Sequence, residues 1–177
     1  MIYEPSDDSY LLKKEVSKFC KGKTVLDVGS GSGIQAESAI EFGAKEVLAI
    51  DIDSEAVKLL TKKGISALKS DLLSNVKGKF DLIIFNPPYL PLDKMEDRES
   101  SRITSGGEAG DEIILRFLKE AKKSLSAKGI ILIVLSSLTP KSRIIKRLKE
   151  LDLKKEVIAE KKLFMEKLEV WKIEAKV

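Results

Sequence analysis

Four consecutive residues, Asn86-Pro87-Pro88-Tyr89, carry the strongest chemical signal in the chain. The Asn86 side-chain oxygen and the Pro87 backbone carbonyl are both acceptors. Together they can hold the two hydrogens of a planar NH2 group. Consecutive prolines stiffen the turn and cannot compete as donors. Tyr89 offers a flat face for stacking on an amide or a base. An amino group held this way keeps its nitrogen lone pair out of plane, open to an electrophile. Positioning and electrostatics would then supply most of the rate. The plain alternative is a rigid strand-ending turn.

Upstream lies Asp27-Val28-Gly29-Ser30-Gly31-Ser32-Gly33, between an apolar run and an amphipathic one. Glycines there let the backbone pass close to a ligand with no Cβ in the way. Ile34 stands where the dinucleotide fingerprint has its third glycine, so a tight strand-to-helix turn would explain the motif alone. Asp51 follows Gly29 by 22 positions, where an acid can accept both hydroxyls of a ribose. Asp53 either shares that role or caps the next helix. Asp71 either accepts from an adenine amino group or is a solvent-facing turn acid.

Composition narrows the chemistry further. The 177 residues contain no histidine, which excludes a histidine base, a Ser-His triad and a histidine-ligated metal. Cys20 is the one cysteine, so there is no intrachain disulfide and no thiolate zinc site. No metal site is expected. Charged residues make up 34% and hydrophobic ones 43%, the balance of a soluble globular chain. The longest apolar run, Ile130–Leu135, is far short of the ~20 residues that cross a bilayer. The polar, acidic N-terminus is wrong for a signal peptide, so the expected location is cytoplasmic. Lys and Glu are plentiful while Gln and Asn are scarce, a bias that resembles a heat-adapted source. The net charge of +4 is uneven, with +8 over 119–177 against −4 before it. Lysines there are interleaved with acids, so solvated helix faces are favoured over a nucleic-acid surface.

These residues need a scaffold, and the chain alternates short apolar strands with amphipathic helices, the pattern of a mostly parallel sheet. Ser6 is placed to cap a first helix with Leu12, Val16, Phe19 and Cys20 on one face. Strands are expected at Thr24–Val28, Glu46–Ile50, Ile65–Lys69, Phe80–Phe85 and Gly129–Leu135. Helices are expected at Ser32–Phe42, Ser54–Lys63 and Asp111–Ala127. Thr139-Pro140 reads as the start of another helix, Thr as cap and Pro at the first position. Leu153–Ile158 and Leu168–Ala175 read as a closing antiparallel hairpin. Leu90–Gly107 has no period and is long for a loop, which suggests a lid over the substrate.

Asp27–Gly33, Asp51, Asp71 and Asn86–Tyr89, in this order and spacing, resemble the S-adenosylmethionine-dependent methyltransferases of the Rossmann-like class I. Tyr3–Leu12, the run Phe85–Pro91 and Gly106-Gly107-x-x-Gly110 narrow the resemblance to HemK-type protein-glutamine N5-methyltransferases. The short archaeal and eukaryotic branch, which acts on class-1 release factors, is the most similar. The resemblance covers essentially the whole chain. It implies an α/β fold with a seven-stranded, mostly parallel sheet in the order 3-2-1-4-5-7-6, strand 7 antiparallel and helices on both faces. One methyltransferase domain over 1–177 is implied, with 1–20 as a helical extension over the cofactor site.

The implied cofactor is S-adenosyl-L-methionine. Its implied contacts are Ser9, Asp27, Gly29, Ser30, Gly31, Gly33, Asp51, Ile52, Asp71, Leu72 and Asn86. The implied catalytic residues are Asn86, Pro87 and Tyr89, and Pro88, Gly106 and Gly107 join them in the substrate slot. Asp27 departs slightly from relatives that carry Glu. The implied target is the glutamine of a Gly-Gly-Gln motif in a class-1 release factor. A small zinc-binding activator protein is an implied partner, and the Ile65–Lys69 edge could accept it by β-augmentation. The competing reading is an N-methyltransferase of RNA or DNA, acting on adenine N6 or guanine N2. Such an enzyme must flip its base out of a duplex and usually tracks phosphates, and no second domain is read for that. A non-enzymatic cofactor-binding protein would not need the intact Asn86–Tyr89 run.

Overall fold

The computed structural model describes residues 4–88 and 110–176. In chain order the elements are α1 (Asp7–Phe19), β1 (Thr24–Val28), α2 (Ile34–Glu41), β2 (Glu46–Asp51), α3 (Ser54–Lys62), β3 (Ser66–Lys69), β4 (Phe80–Phe85), α4 (Glu112–Ser124), β5 (Leu125–Ser136), α5 (Ser142–Glu150), β6 (Leu153–Leu163) and β7 (Glu166–Ala175). The seven strands form one sheet in the order β3-β2-β1-β4-β5-β7-β6. β7 runs antiparallel to both neighbours, and the β1–β5 pairings are parallel.

Strand alternation decides which helix covers which face. Leu82, Ile84, Leu132 and Val134 point to one side, where Leu12 and Val16 of α1 and Ala39 of α2 meet them. Ile83, Phe85, Ile131 and Ile133 point to the other, against Ile114, Phe117 and Leu118 of α4 and Ile144 and Leu148 of α5. Leu60 of α3 closes a smaller cluster with Ala36, Ala49 and Ile65. Because both faces are covered, the central strands are apolar throughout rather than alternating. Among the described residues no helix is long and apolar enough to cross a membrane.

Three expectations need correction. Residues 125–127 belong to β5 and not to the preceding helix, because Leu125 is drawn under the sheet to pair with Phe80. Gly129 permits this approach, since a Cβ there would sit 2.9 Å from the Phe80 carbonyl oxygen. Thr139 does not cap α5, whose N-cap position is Lys141. Its hydroxyl instead accepts from the Ser136 N–H at 3.3 Å, turning the chain at the end of β5. The closing hairpin is as expected in type but longer, with β6 reaching Leu163. Residues 89–109, which include the proposed lid and Tyr89, Gly106 and Gly107, lie outside the described residues.

Gly33 is the tightest point where a strand hands over to a helix. It is the N-cap of α2 at φ +90°, and a Cβ would fall 2.8 Å from Leu60 Cδ2 in the core. Gly64, at φ +78°, has nothing within 4 Å of the place a Cβ would take. Both Gly→Ala changes therefore carry backbone strain of roughly 1–3 kcal/mol. Only Gly33→Ala adds overpacking, typically another ~1–3 kcal/mol. Urea unfolding should rank the midpoints wild type, Gly64→Ala, Gly33→Ala. Equal midpoints for the two variants would contradict this packing.

Candidate active site

Parallel pairing sets the candidate residues abreast. Val28 lies opposite Ile50 on one side and Phe85 on the other. The next residue of each strand or turn, Gly29, Asp51 and Asn86, therefore reaches the same edge of the sheet. That edge is where the strand order reverses between β1 and β4, the place where open α/β sheets leave a crevice.

The Asp27–Gly33 loop is built by its own hydrogen bonds. Asp27 is 1% exposed, and its Oδ2 accepts from Ser30 Oγ and from the Ala36 N–H. Burial pushes its carboxyl up to about 7, against the lowering effect of those two donors, with Asp51 raising it further. An acid in that state is one proton from being an anion, and a cation beside it would complete the site. Ser30 donates its hydroxyl to Asp27 and its N–H to the Ile50 carbonyl at 2.9 Å. It holds the loop together rather than facing outward.

Asp51 receives the loop from the far side. Its Oδ2 accepts from the Gly31 N–H and its Oδ1 from the Asp53 N–H, both at 2.8 Å. Each carboxylate oxygen keeps a further lone pair for a ligand hydroxyl. Asp53 is the N-cap of α3, accepting from the Glu55 N–H at 2.9 Å, so it is structural. Ile52 is 64% exposed beside Asp51, an apolar face at the crevice mouth.

The turn after β3 differs from the simple reading of Asp71 as a lone acceptor. Asp71 is ion-paired with Arg116 of α4, and Glu120 one helical turn on accepts from the Leu73 N–H at 2.9 Å. Leu72 is buried in a left-handed conformation, φ +47°. α4 thus clamps a turn that local sequence could only describe as polar. The Arg116–Glu120 spacing of four is visible in sequence, but its use to hold this turn is not.

Asn86 closes the group. Its Nδ2 donates to Ser9 Oγ of α1 at 3.4 Å. Its Oδ1 is buried and accepts nothing from the described residues. Buried acceptors are nearly always paired, so one left open beside a crevice points to a ligand donor. Pro87 is buried directly after it, and Phe85 before it stacks on Phe117 with ring centroids 4.4 Å apart. This packing fixes where Asn86 sits. Gln35 is a site-adjacent residue that sequence reasoning missed. It is buried, and its Nε2 donates to the Ser9 carbonyl at 2.9 Å.

Asp27 generates a prediction about stability. Its carboxyl is raised above the unfolded value, so the folded chain binds more protons between those two pH values. Its contribution is present in full below about pH 4 and is lost as pH rises to about 7. Asp27→Asn should remove that slope. The unfolding midpoint of the wild type, relative to the variant, should fall from pH 4 to pH 7. A pH-independent difference would show that Asp27 is not held in this way.

The comparisons with known proteins agree with this arrangement. Residues 7–165 match the family model described as the methyltransferase small domain. A Methanocaldococcus jannaschii protein, provisionally named protein N5-glutamine methyltransferase, is 41% identical over 177 residues, spanning 96% of this chain and 89% of its own. Methyltransferase HEMK2 of Mus musculus is 30% identical over 151 residues, spanning 75% and 71%. In three dimensions, a chain of the E. cuniculi Mtq2–Trm112 complex, responsible for methylation of the eRF1 translation termination factor, superposes with a TM-score of 0.81. It is 25% identical, with 99% of each chain covered. The glycine loop, the acid after β2 and the open carbonyl after β4 thus sit on a known scaffold, and the chain belongs to the methyltransferase small-domain family as a HemK-type S-adenosylmethionine-dependent methyltransferase.

Proposed function

We propose that this enzyme methylates the side-chain amide nitrogen of a glutamine, in a Gly-Gly-Gln motif of a class-1 release factor. The observation that carries the reading is the buried Asn86 Oδ1 at the end of β4, unpartnered among the described residues. A primary amide presents a flat NH2, and Asn86 with the Pro87 carbonyl can accept its two hydrogens. The target nitrogen is then held with its lone pair free. The names of the M. jannaschii relative and the E. cuniculi complex support protein glutamine over a nucleic-acid base.

The residues present fit S-adenosylmethionine. Asp27 would hold the methionyl ammonium, with Gly29, Gly31 and Gly33 leaving room for the cofactor along the loop. Asp51 would accept the ribose hydroxyls. Ile52, Asp71 and Leu72 would border the adenine, with Arg116 fixing the Asp71 carboxylate. When bound, the cofactor supplies an electrophilic methyl group on a sulfonium. Asn86 orients the nucleophile, and Pro88 stiffens the turn that holds it. With no histidine in the chain, the proton released on transfer goes to solvent rather than to a histidine base. One methyltransferase domain with α1 as an extension over this site, and a cytoplasmic location, complete the reading.

A small activator protein is the proposed partner, zinc-binding by analogy with the branch that the sequence resembles. The proposed docking place is β3, the sheet edge, where three of four residues are exposed. An edge strand can extend its sheet into a partner. Lys69, whose Nζ donates to Ser54 Oγ at 2.7 Å, limits pairing with other chains.

Two measurements test the assignment. Incubation with methyl-labelled cofactor, the cognate release factor and total RNA should label the release factor on glutamine. Label in RNA alone would overturn the reading. Asn86→Ala should abolish transfer and leave cofactor affinity within about threefold. Cofactor affinity itself should rise from pH 6 to pH 8 as Asp27 ionises near pH 7, by roughly tenfold per unit below that value. Asp27→Asn should flatten that profile, whereas an unchanged slope would remove Asp27 from the cofactor site.

A further inference from the structure

Catalysis by Asn86 depends on which way its amide faces. Rotation by half a turn exchanges a carbonyl acceptor for an NH2 donor, with little change in shape. With the NH2 in the slot, donor would face donor and the target amide could not be held.

We infer that Asp8 and Ser9 form an orienting relay that fixes the Asn86 amide with its carbonyl toward the substrate. A hydroxyl has one proton and two lone pairs. Ser9 is 2% exposed, and its proton goes to Asp8 Oδ1 at 3.1 Å. One lone pair accepts from the Ser6 N–H and the other from Asn86 Nδ2, both at 3.4 Å. Every hydrogen-bonding position of the hydroxyl is therefore committed.

The direction of the relay follows from the carboxylate. Ionised Asp8 can only accept, so it takes the Ser9 proton and also that of Ser6 Oγ at 2.9 Å. Ser9 can then only accept from Asn86. Asn86 must turn its NH2 toward Ser9, and its Oδ1 is left open on the opposite side. Gln35 anchors the relay by holding the Ser9 carbonyl from α2. Asp8 and Gln35 gain a role that their own sequence neighbourhoods do not suggest. Ser9 becomes a positioning residue, with no position left for the cofactor. The relay rests on the methyl-transfer reading above.

The test uses the full chain with cofactor and a glutamine peptide. Ser9→Ala and the isosteric Asp8→Asn should each lower kcat by roughly ten- to a hundredfold, as expected for an unpaired buried group. Calorimetric cofactor affinity should stay within about twofold. Ser9→Thr, which keeps the hydroxyl, should restore most of the rate. With S-adenosylhomocysteine bound, Ser9→Ala should weaken the glutamine peptide and leave a methionine-substituted peptide unchanged. Loss of cofactor affinity in parallel with kcat would make Ser9 a cofactor ligand and overturn the relay. So would wild-type kcat in both variants while Asn86→Ala is inactive. Methyl transfer by Asn86→Ala would instead overturn the catalytic reading itself.

Discussion

A buried carbonyl without a donor costs on the order of 1–3 kcal/mol, and folded proteins rarely leave one. Among the described residues, Asn86 Oδ1 is such a group. The surrounding structure explains how it is kept open. β4 is buried on both faces, so Asn86 is delivered to the sheet edge by a strand that has no freedom to slip. Phe85 stacks on Phe117 just below it, and Pro87 removes the next N–H as a competing donor. The polar partner on the far side, Ser9, comes from an element 77 positions away in sequence. Much of the front of the molecule serves to hold one acceptor in place without satisfying it.

The same edge holds a second group kept short of its preferred state. Asp27 is buried among strand residues, with its carboxyl raised to about 7 by desolvation. A cation would suit Asp27 as a donor would suit Asn86. A bound methyl donor and a bound amide would present groups of those two kinds. Stability given up at the two positions is recovered elsewhere, in the two apolar layers that cover the sheet. The layers place α1, α2 and α3 on one face and α4 and α5 on the other. Function and fold are therefore separated along the strands, with packing in their middles and unsatisfied polar groups at their C-terminal ends.

Much of this was legible in the sequence because it is written locally. β1 and β4 are short apolar runs bounded by polar residues, and their limits match the expectation residue for residue. The glycine loop and Asp51 follow directly from strand ends. What failed was nonlocal. Leu125 continues the helical spacing of Ala121, and only its pairing with Phe80 makes it a strand residue. Thr139 has the right type and place to cap a helix, but its hydroxyl finds the end of β5 first. Arg116 and Glu120 clamp the Asp71 turn across some 45 positions. Asp8, Ser9 and Gln35 are ordinary polar residues until α1 is laid against α2, and no spacing rule connects them to Asn86.

The central claim is that the Asn86 side-chain carbonyl receives a hydrogen of the target amide. A crystal structure of the enzyme with S-adenosylhomocysteine and a Gly-Gly-Gln peptide tests it most directly. The glutamine amide nitrogen is expected about 2.7–3.2 Å from Asn86 Oδ1, with Asn86 Nδ2 still on Ser9. A glutamine carbonyl facing Asn86, or an Asn86 Oδ1 bonded to the protein itself, would contradict it.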